Sequence, residues 1–268
     1  MIADVALPIV AAALIWWLGT CAILWLVRLP DARRRAAIII ATAAMLGAMA
    51  TAVLLKDVDT IAAAYGGFAA GVVLWGWHEL MFLMGYITGP NRSACPPNLK
   101  PWRRFAASAN TIIHHEIAIA LHAGLLVWLS WGGANQVAAW TFLLLWGMRL
   151  SAKLIVFFGA PNVNERFLPA RLSYLHTYFA RRTNFIFTPL AMIAVTLTAG
   201  ILIHQAAVAP GGSFAAAGLS LVASLAALAV IEHLALVAPV PDDALWDWAI
   251  GDAPLAKNTK SLSDGGHP

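Results

Sequence analysis

Long apolar stretches alternate with short polar loops along most of this chain. A helix needs about 20 apolar residues to cross a hydrocarbon core about 30 Å thick. Stretches of that length cover residues 5–27, 36–55, 60–87, 106–131, 136–159, 185–208 and 214–238. The pattern predicts an all-α fold, a polytopic membrane bundle of about seven transmembrane helices that forms one domain over residues 1–250.

The composition agrees with a membrane location and excludes other classes. Of the 268 residues, 61% are hydrophobic and 11% are charged, whereas about a quarter are charged in soluble domains. The first stretch has no small-residue cleavage site, so we expect a retained anchor. Two cysteines are too few for a disulfide framework. The net charge of +4 comes from basic loops, so we expect the lipid bilayer as a partner and no nucleic acid.

The basic residues predict the orientation of the bundle. Alternate loops, around residues 56–57, 132–133 and 210–212, carry almost no positive charge. By the positive-inside rule, the N-terminus is expected outside and the C-terminus in the cytoplasm. The basic groups follow the first, third and fifth stretches: Arg28, Arg33, Arg34 and Arg35; Arg92, Lys100, Arg103 and Arg104; Arg166, Arg171, Arg181 and Arg182.

The chain has four glutamates, and each stands beside histidine or arginine. They form the pairs His78-Glu79, His115-Glu116, Glu165-Arg166 and Glu232-His233. All but Glu165 lie inside the apolar stretches. An ionised carboxylate inside a membrane is costly unless it is paired, so these glutamates indicate a functional site.

Spacing along the helices places these groups at one depth. Glu79 lies about 12 Å and Glu232 about 10 Å from the predicted cytoplasmic ends of their stretches, and Glu116 is expected at a similar depth. Arg149 and Lys153 occupy the same layer in the fifth stretch. We therefore expect a polar layer on the cytoplasmic side. His122, two turns beyond His115, is expected to bond a neighbouring helix or to extend this layer.

Two further segments are expected to lie along the membrane surface. Residues 164–183 predict a basic amphipathic helix with Pro169 in its first turn, carrying His176 beside the polar layer as a lid, with Glu165 at its entrance. The alternative is a lipid-facing anchor in which His176 is merely interfacial. Its apolar face would consist of Leu168, Leu172, Leu175 and Phe179. Residues 242–250 predict a short Trp-containing interfacial helix, and residues 251–268 a disordered cytoplasmic tail.

The polar layer is compatible with several kinds of chemistry. A di-iron or di-manganese site would draw its ligands from Glu79, His115, Glu116, Glu165, His176, Glu232 and His233. Adjacent Glu and His point about 100° apart around a helix, whereas di-metal carboxylate proteins use Glu-x-x-His. A tetrapyrrole site would use His78, His115, His176 or His233 as a ligand to the central metal, with Arg149 or Lys153 for a carboxylate substituent. A structural ionic network is the remaining alternative.

Several strings together resemble the PuhE family, photosynthetic complex assembly proteins of purple phototrophic bacteria. The resemblance covers about residues 65–250. The matching strings are WHELMFLMGYITGP at 77–90, His115-Glu116, WGMRLSAKL at 146–154, Pro161-Asn162 with Glu165 and Leu168-Pro169, Tyr174-Leu175 with Tyr178-Phe179 and Arg181-Arg182, Glu232-His233, and PVPDDALWDWA at 239–249.

This resemblance implies a multi-pass protein of the bacterial inner membrane. It also implies a role in assembling the reaction centre and antenna and in bacteriochlorophyll production. The expected partners are reaction-centre and antenna subunits or enzymes of bacteriochlorophyll synthesis. The cofactor expected at the polar layer is bacteriochlorophyll or a precursor. A membrane metalloenzyme with non-haem iron or manganese, acting on a pigment precursor or another lipid-soluble substrate, is the alternative.

Overall fold

The computed structural model of the chain describes residues 2–161, 168–180 and 184–238. Within these ranges it contains α-helices and one 3-10 helix, Ala170–Tyr178, and no strand. The predicted all-α membrane bundle is confirmed. The helices are α1 Ile2–Val27, α2 Asp31–Leu54, α3 Ile61–Leu83, α4 Pro101–Ala109, α5 Ile113–Ser130, α6 Val137–Gly159, α7 Phe187–Val208 and α8 Phe214–Val237. Glu165, the predicted helix 242–250 and the tail lie outside the described residues.

Six of the described helices are long and apolar enough to cross a membrane: α1, α2, α5, α6, α7 and α8. The remaining predicted span, α3, has 23 residues and is long enough, but its glycines, His78 and Glu79 make it less apolar. Its position explains this composition. Helix α3 packs against α1, α2, α5, α6 and α8, so its side chains meet protein on most sides rather than lipid.

Glycines bring α3 and α6 into close contact. A Cβ atom on Gly71 would lie 2.7 Å from Cβ of Thr141 and 2.8 Å from the carbonyl oxygen of Ala138. One turn earlier, a Cβ on Gly67 would lie 3.3 Å from Cβ of Val137. Small residues at this spacing let the backbones of membrane helices approach one another. The Gly67-x-x-x-Gly71 pattern therefore fixes α3 against α6 and the side chains that follow on both helices.

The predicted single span over residues 106–131 is wrong. Helix α4 ends at Ala109, and α5 begins only at Ile113. The break at Asn110–Ile112 is held by the loop that follows α3, because Asn91 N–H donates to the carbonyl of Asn110 at 3.1 Å. His115 N–H, at the start of α5, donates to the carbonyl of Thr88 at 2.9 Å. His115 and Glu116 therefore lie in the first turn of α5 rather than well inside a longer helix.

The third predicted stretch, 60–87, ends early as a helix. Helix α3 stops at Leu83, and Gly85 has φ +77°, a conformation that favours glycine. The chain then turns towards α5, and Gly89 passes so close that a Cβ there would lie 2.1 Å from the carbonyl oxygen of Asn110. The backbone beyond Leu83 is therefore a tight loop rather than a further turn of helix.

The predicted amphipathic helix at 164–183 is also corrected. Its described part is a short 3-10 helix, and Pro169 precedes the first turn instead of lying in it. Because a 3-10 helix repeats every three residues, its buried face consists of Leu172, Leu175 and Tyr178. This face packs against Phe82 of α3, with Ile112 nearby. The segment is thus attached to the bundle through its apolar side.

Residues 84–112 and 168–180 form what we call the cap. Tyr178 is buried at its centre, and its hydroxyl accepts from the side-chain amide of Asn91 at 3.0 Å and donates to the carbonyl of Ser93 at 3.3 Å. The guanidinium of Arg104, on α4, donates to the carbonyl of Tyr178. Arg171 donates to the carbonyl of Met84 at 2.9 Å, directly after α3. The cap therefore covers the ends of α3 and α5 that carry Glu79 and His115.

Candidate functional site

Glu79, His115 and Arg149 meet at the end of the bundle beneath the cap. Nε2 of His115 lies 3.9 Å from Oε1 of Glu79, and Nη2 of Arg149 lies 3.7 Å from Oε2 of the same carboxylate. Glu79 and His115 are buried, whereas the Arg149 side chain is 49% exposed. Neither separation is a hydrogen bond. Helices α3, α5 and α6 thus bring an acid, an imidazole and a guanidinium together without tight pairing.

Glu116 and Lys153 form a second, tighter pair between α5 and α6. Nζ of Lys153 lies 2.7 Å from Oε1 of Glu116, and the indole N–H of Trp146 donates to Oε2 at 3.0 Å. Lys153 also lies over the ring of Phe82, 5.6 Å from its centroid. Glu116 is in the first turn of α5, where the positive end of the helix dipole favours a carboxylate. Both charges of this pair are therefore satisfied.

His78 and His122 form a third pair, between α3 and α5. Nε2 of His78 lies 2.8 Å from Nδ1 of His122, so one ring donates and the other accepts. Phe142 packs against both imidazoles, at ring-centroid distances of 5.7 and 5.5 Å. His122 therefore bonds a neighbouring helix, as expected, and extends the polar layer by a further turn of α5.

Helix α8 contributes one buried and one outward-facing group. His233 is buried and its Nδ1 lies 2.7 Å from the carbonyl of Ala229, a bond within the same helix. Glu232 lies on the exposed side of α8. Both residues are close enough to Arg149 for electrostatic interaction, and Glu232 also interacts with Glu79. Arg149 is therefore the cation that faces both Glu79 and Glu232.

The cap holds the last described candidate, His176. Its ring packs beside Phe179 within the cap, with centroids 5.6 Å apart. Tyr174 lies in the same segment, and burial raises the pKa of its hydroxyl, which keeps it a hydrogen-bond donor. Burial lowers the pKa of Arg171, and the neighbouring guanidinium of Arg34 acts in the same direction. The cap therefore contributes polar groups above the layer formed by the helices.

Several buried polar atoms of the site have no hydrogen-bond partner in the part of the chain that the structure describes. Both ring nitrogens of His115 are among them, although that residue has no exposed surface. A buried polar group without a partner costs about 1–3 kcal/mol, so such a concentration is unusual for a purely structural core. The other such atoms on α3, α5, α6 and α8 are Nδ1 of His78, Oε1 of Glu79, Nε2 of His122, Oγ1 of Thr141 and Nε2 of His233.

The geometry also bears on the two cofactor hypotheses. Among the described residues, no group of three or more His, Cys, Asp or Glu side chains is arranged to hold a metal ion. The free ring nitrogens of His78, His115 and His233 are covered by neighbouring atoms. They do not fit as axial ligands of a tetrapyrrole unless those neighbours move. Arg149 and Glu232 are the described candidates with substantial exposed surface at the site.

Sequence reasoning gave His122 two alternatives, a bond to a neighbouring helix or an extension of the polar layer, and did not assign Trp146 or Phe82 to the site. His122 lies on the same face of α5 as His115, and this spacing indicated that both imidazoles could belong to one site. Trp146 lies two turns before Lys153 on the same face of α6. This spacing could have predicted that both side chains contact one carboxylate, which is that of Glu116. Phe82 stacks beside His115, with ring centroids 4.7 Å apart, and its role depends on the close packing of α3 and α5.

The fold and the site define a multi-pass helical membrane protein with a polar cluster buried near one end of the bundle. Residues 2–257 match the family described as "Protein of unknown function (DUF3623)", and the chain belongs to this family. It is also similar to an uncharacterized 30.4 kDa protein in the puhA 5′ region of Rhodobacter capsulatus. The two are 37% identical over 242 residues, which cover 88% of this chain and 87% of the relative. No solved structure matches the chain significantly.

Proposed function

We propose that this protein is an inner-membrane assembly factor for the bacterial photosynthetic complex, the reaction centre with its antenna, and that it influences bacteriochlorophyll supply. The PuhE-like strings around Glu79, Arg149 and Glu232 support this role. The Rhodobacter capsulatus relative, whose name places it in the puhA 5′ region, adds support. In the proposed orientation the N-terminus is periplasmic, and the cap and polar site face the cytoplasm, as the basic loops predict.

A difference between the two cations of α6, Lys153 and Arg149, supports a ligand-binding role that the family resemblance alone does not indicate. Lys153 forms a close ion pair with Glu116, with 2.7 Å between Nζ and Oε1. Arg149 approaches Glu79 only to 3.7 Å and makes no hydrogen bond within the described residues. A guanidinium has five N–H donors, and leaving them unused at membrane depth is costly. Among the described residues of this site, Arg149 is therefore the group with the most unused hydrogen-bond donors, and a bound ligand could supply the acceptor.

A tetrapyrrole pigment or precursor is the ligand we propose for Arg149. Its peripheral carbonyl or carboxylate oxygens would accept from the guanidinium, while its ring would lie on the apolar flank of α6. A neutral carbonyl suits the charge balance better, because the cluster already holds three carboxylates, Glu79, Glu116 and Glu232, against Arg149 and Lys153. Axial ligation by His115 would require Phe82 or the Thr88 loop to move.

A structural role is the second candidate, and the Lys153–Glu116 pair favours it. This contact and the bond from Trp146 join α5 to α6 and need no ligand. Buried ion pairs of this kind fix helix register, and breaking one is strongly destabilising. The structural alternative predicts that Arg149 substitutions change folded yield without removing any bound pigment.

Purification of the wild-type protein and two Arg149 variants would distinguish the pigment-binding, structural and metalloenzyme roles. The protein would be isolated in mild detergent from bacteriochlorophyll-producing cells, and its absorption spectrum and metal content measured. We expect tetrapyrrole absorbance in the wild type, a clear loss in Arg149→Gln and partial retention in Arg149→Lys, at equal folded yield. Absence of pigment from a good yield of wild-type protein would contradict the pigment-binding role. Stoichiometric iron or manganese would instead support the metalloenzyme alternative.

A further inference from the structure

A ladder of aromatic rings runs along one flank of the molecule at the end that carries the cap. Trp102 stacks on Phe105 with centroids 6.0 Å apart, and Phe105 stacks on Phe158 at 6.2 Å. Phe158 in turn contacts Phe187 at 4.7 Å. The ladder joins three elements: α4, the end of α6 and the start of α7. It is separate from the polar cluster around Glu79.

The ladder lies at the level where the chain leaves the membrane. Phe158 is the second-last residue of α6, and Phe187 is the first residue of α7. Both helices are long and apolar enough to span a bilayer. At the opposite ends of α5 and α6, Trp128, Trp131 and Trp140 are exposed. Tryptophans at both ends match the aromatic belts of membrane proteins, and they place α4 in the headgroup layer.

One edge of this flank is open. Trp102 is 74% exposed, and in the turn before α7 Phe185 is 87% and Ile186 77% exposed. Helix α4 has no fully buried residue; residues 101–103 at its start are exposed, and residues 104–109 are partly buried. Exposed aromatic and large apolar side chains at the membrane boundary are typical of insertion among lipid headgroups.

The two adjacent arginines of α4 show which partner suits the open edge. Arg104 is turned inward: it donates to the carbonyl of Tyr178, and its guanidinium lies 4.5 Å from the ring centroid of Phe157. Arg103 is exposed next to Trp102, and so is Lys100 at the N-terminus of α4. Neither forms an ion pair within the described ranges. Unpaired cations beside exposed aromatic side chains complement an anionic lipid surface.

We propose that α4 and the Phe185–Ile186 turn form an interfacial anchor for anionic phospholipid. Trp102, Phe185 and Ile186 insert at the headgroup level, and Lys100 and Arg103 bind the lipid phosphates. The 3-10 helix Ala170–Tyr178 does not serve this purpose, because its apolar face is covered by Phe82. The anchor is independent of the pigment proposal and would set the depth of the cap in the membrane.

Label depth in vesicles tests the insertion. Nitroxide labels would be placed singly at positions 102, 103 and 185 of a Cys21→Ser, Cys95→Ser protein in phosphatidylglycerol/phosphatidylcholine vesicles. Labels at Asn98, in the exposed loop, and Leu121, on the exposed face of α5, would mark water and hydrocarbon. We expect positions 102 and 185 to favour lipid-soluble oxygen over an aqueous nickel reagent and to lie between the two markers. Water accessibility equal to that of position 98 would overturn the proposal.

The adjacent arginines provide the matched control for lipid binding. Association of spin-labelled phosphatidylglycerol relative to phosphatidylcholine would be compared in wild type, Arg103→Gln, Lys100→Gln with Arg103→Gln, and Arg104→Gln. A surface cation contributes up to about a fivefold preference for anionic lipid, so Arg103→Gln should reduce the preference and the double variant should remove most of it. Arg104→Gln should leave it unchanged. Equal effects of both arginines, or none from either, would refute the specific role of Arg103.

Discussion

The ammonium of Lys153 lies 2.7 Å from Oε1 of Glu116, and this contact joins α6 to α5 beneath the cap. The indole of Trp146, two turns earlier on α6, donates to the second carboxylate oxygen. Two side chains of one helix therefore hold a single carboxylate of its neighbour. Arg149, also on α6, lies farther from its carboxylate: Nη2 is 3.7 Å from Oε2 of Glu79, too long for a hydrogen bond.

We predict that Lys153→Gln destabilises the bundle by about 3 kcal/mol, because Glu116 would be left as a buried charge without its cation. Unfolding in mixed detergent micelles, followed by circular dichroism, measures this loss. Arg149→Gln should cost at most about 1 kcal/mol, since its contact is longer and half-exposed. The double variant Lys153→Gln with Glu116→Gln should regain part of the loss. An Arg149→Gln protein as unstable as Lys153→Gln would contradict this distinction.

The sequence was sufficient to predict the helical bundle and to place Glu79 and Arg149 in one layer, because helix length and position along each helix follow from residue spacing. It was not sufficient to locate the start of α5. The break at Asn110–Ile112 depends on a hydrogen bond from Asn91, a residue far away in sequence. The outward position of Glu232 depends on the rotation of α8 about its own axis, which packing decides.

The hydrogen bond between His78 and His122 should be visible in a double-mutant cycle. Each single substitution, His78→Phe or His122→Phe, leaves one imidazole without its partner and should cost about 1–3 kcal/mol. Replacing both rings removes the unsatisfied group, and the double variant should be more stable than the sum of the single losses predicts. Stability would be measured by the same micelle unfolding. Strict additivity of the two losses would show that the 2.8 Å contact contributes nothing.

A close contact between α3 and some neighbouring helix could have been predicted from the sequence, since Gly67 and Gly71 have the spacing of a membrane helix-packing motif. Its partner could not. Which helix approaches these glycines depends on the whole arrangement, and the contact with Thr141 and Ala138 appears only in three dimensions. The contacts of Phe82 likewise could not be predicted from the sequence: its ring packs against His115, and the ammonium of Lys153 lies over it.

Gly71→Ala should be strongly destabilising. The new Cβ would lie under 3 Å from the backbone oxygen of Ala138, which cannot move without separating α3 from α6. Overpacking of this kind costs about 1–3 kcal/mol or more, and folded yield and thermal stability should both fall. Gly124→Ala on α5 is the control, since its Cβ would meet no atom within 4 Å. That substitution should be neutral or stabilising, by up to about 1 kcal/mol. Similar losses in both variants would exclude a specific contact at Gly71.

Tyr178→Phe tests whether the cap is closed by its central hydroxyl. The change removes the bond accepted from Asn91 and the one donated to Ser93, while the buried ring stays in place. Each such bond contributes about 0.5–1.5 kcal/mol, so local opening of residues 91–95 should become several-fold to about a hundredfold more frequent. Amide hydrogen exchange measured peptide by peptide detects this increase.

Tyr65→Phe on α3, outside the cap, provides the matched control for this substitution, because it removes a hydroxyl for which the described chain gives no cap contact. Exchange in residues 91–95 should then stay at the wild-type rate. In Tyr178→Phe the faster exchange should be confined to the cap, with α7 and α8 unchanged, since neither helix contacts that hydroxyl. Exchange that rises equally throughout the bundle would mean that Tyr178 supports the whole fold, and the cap could not then open over His115 as a separate unit.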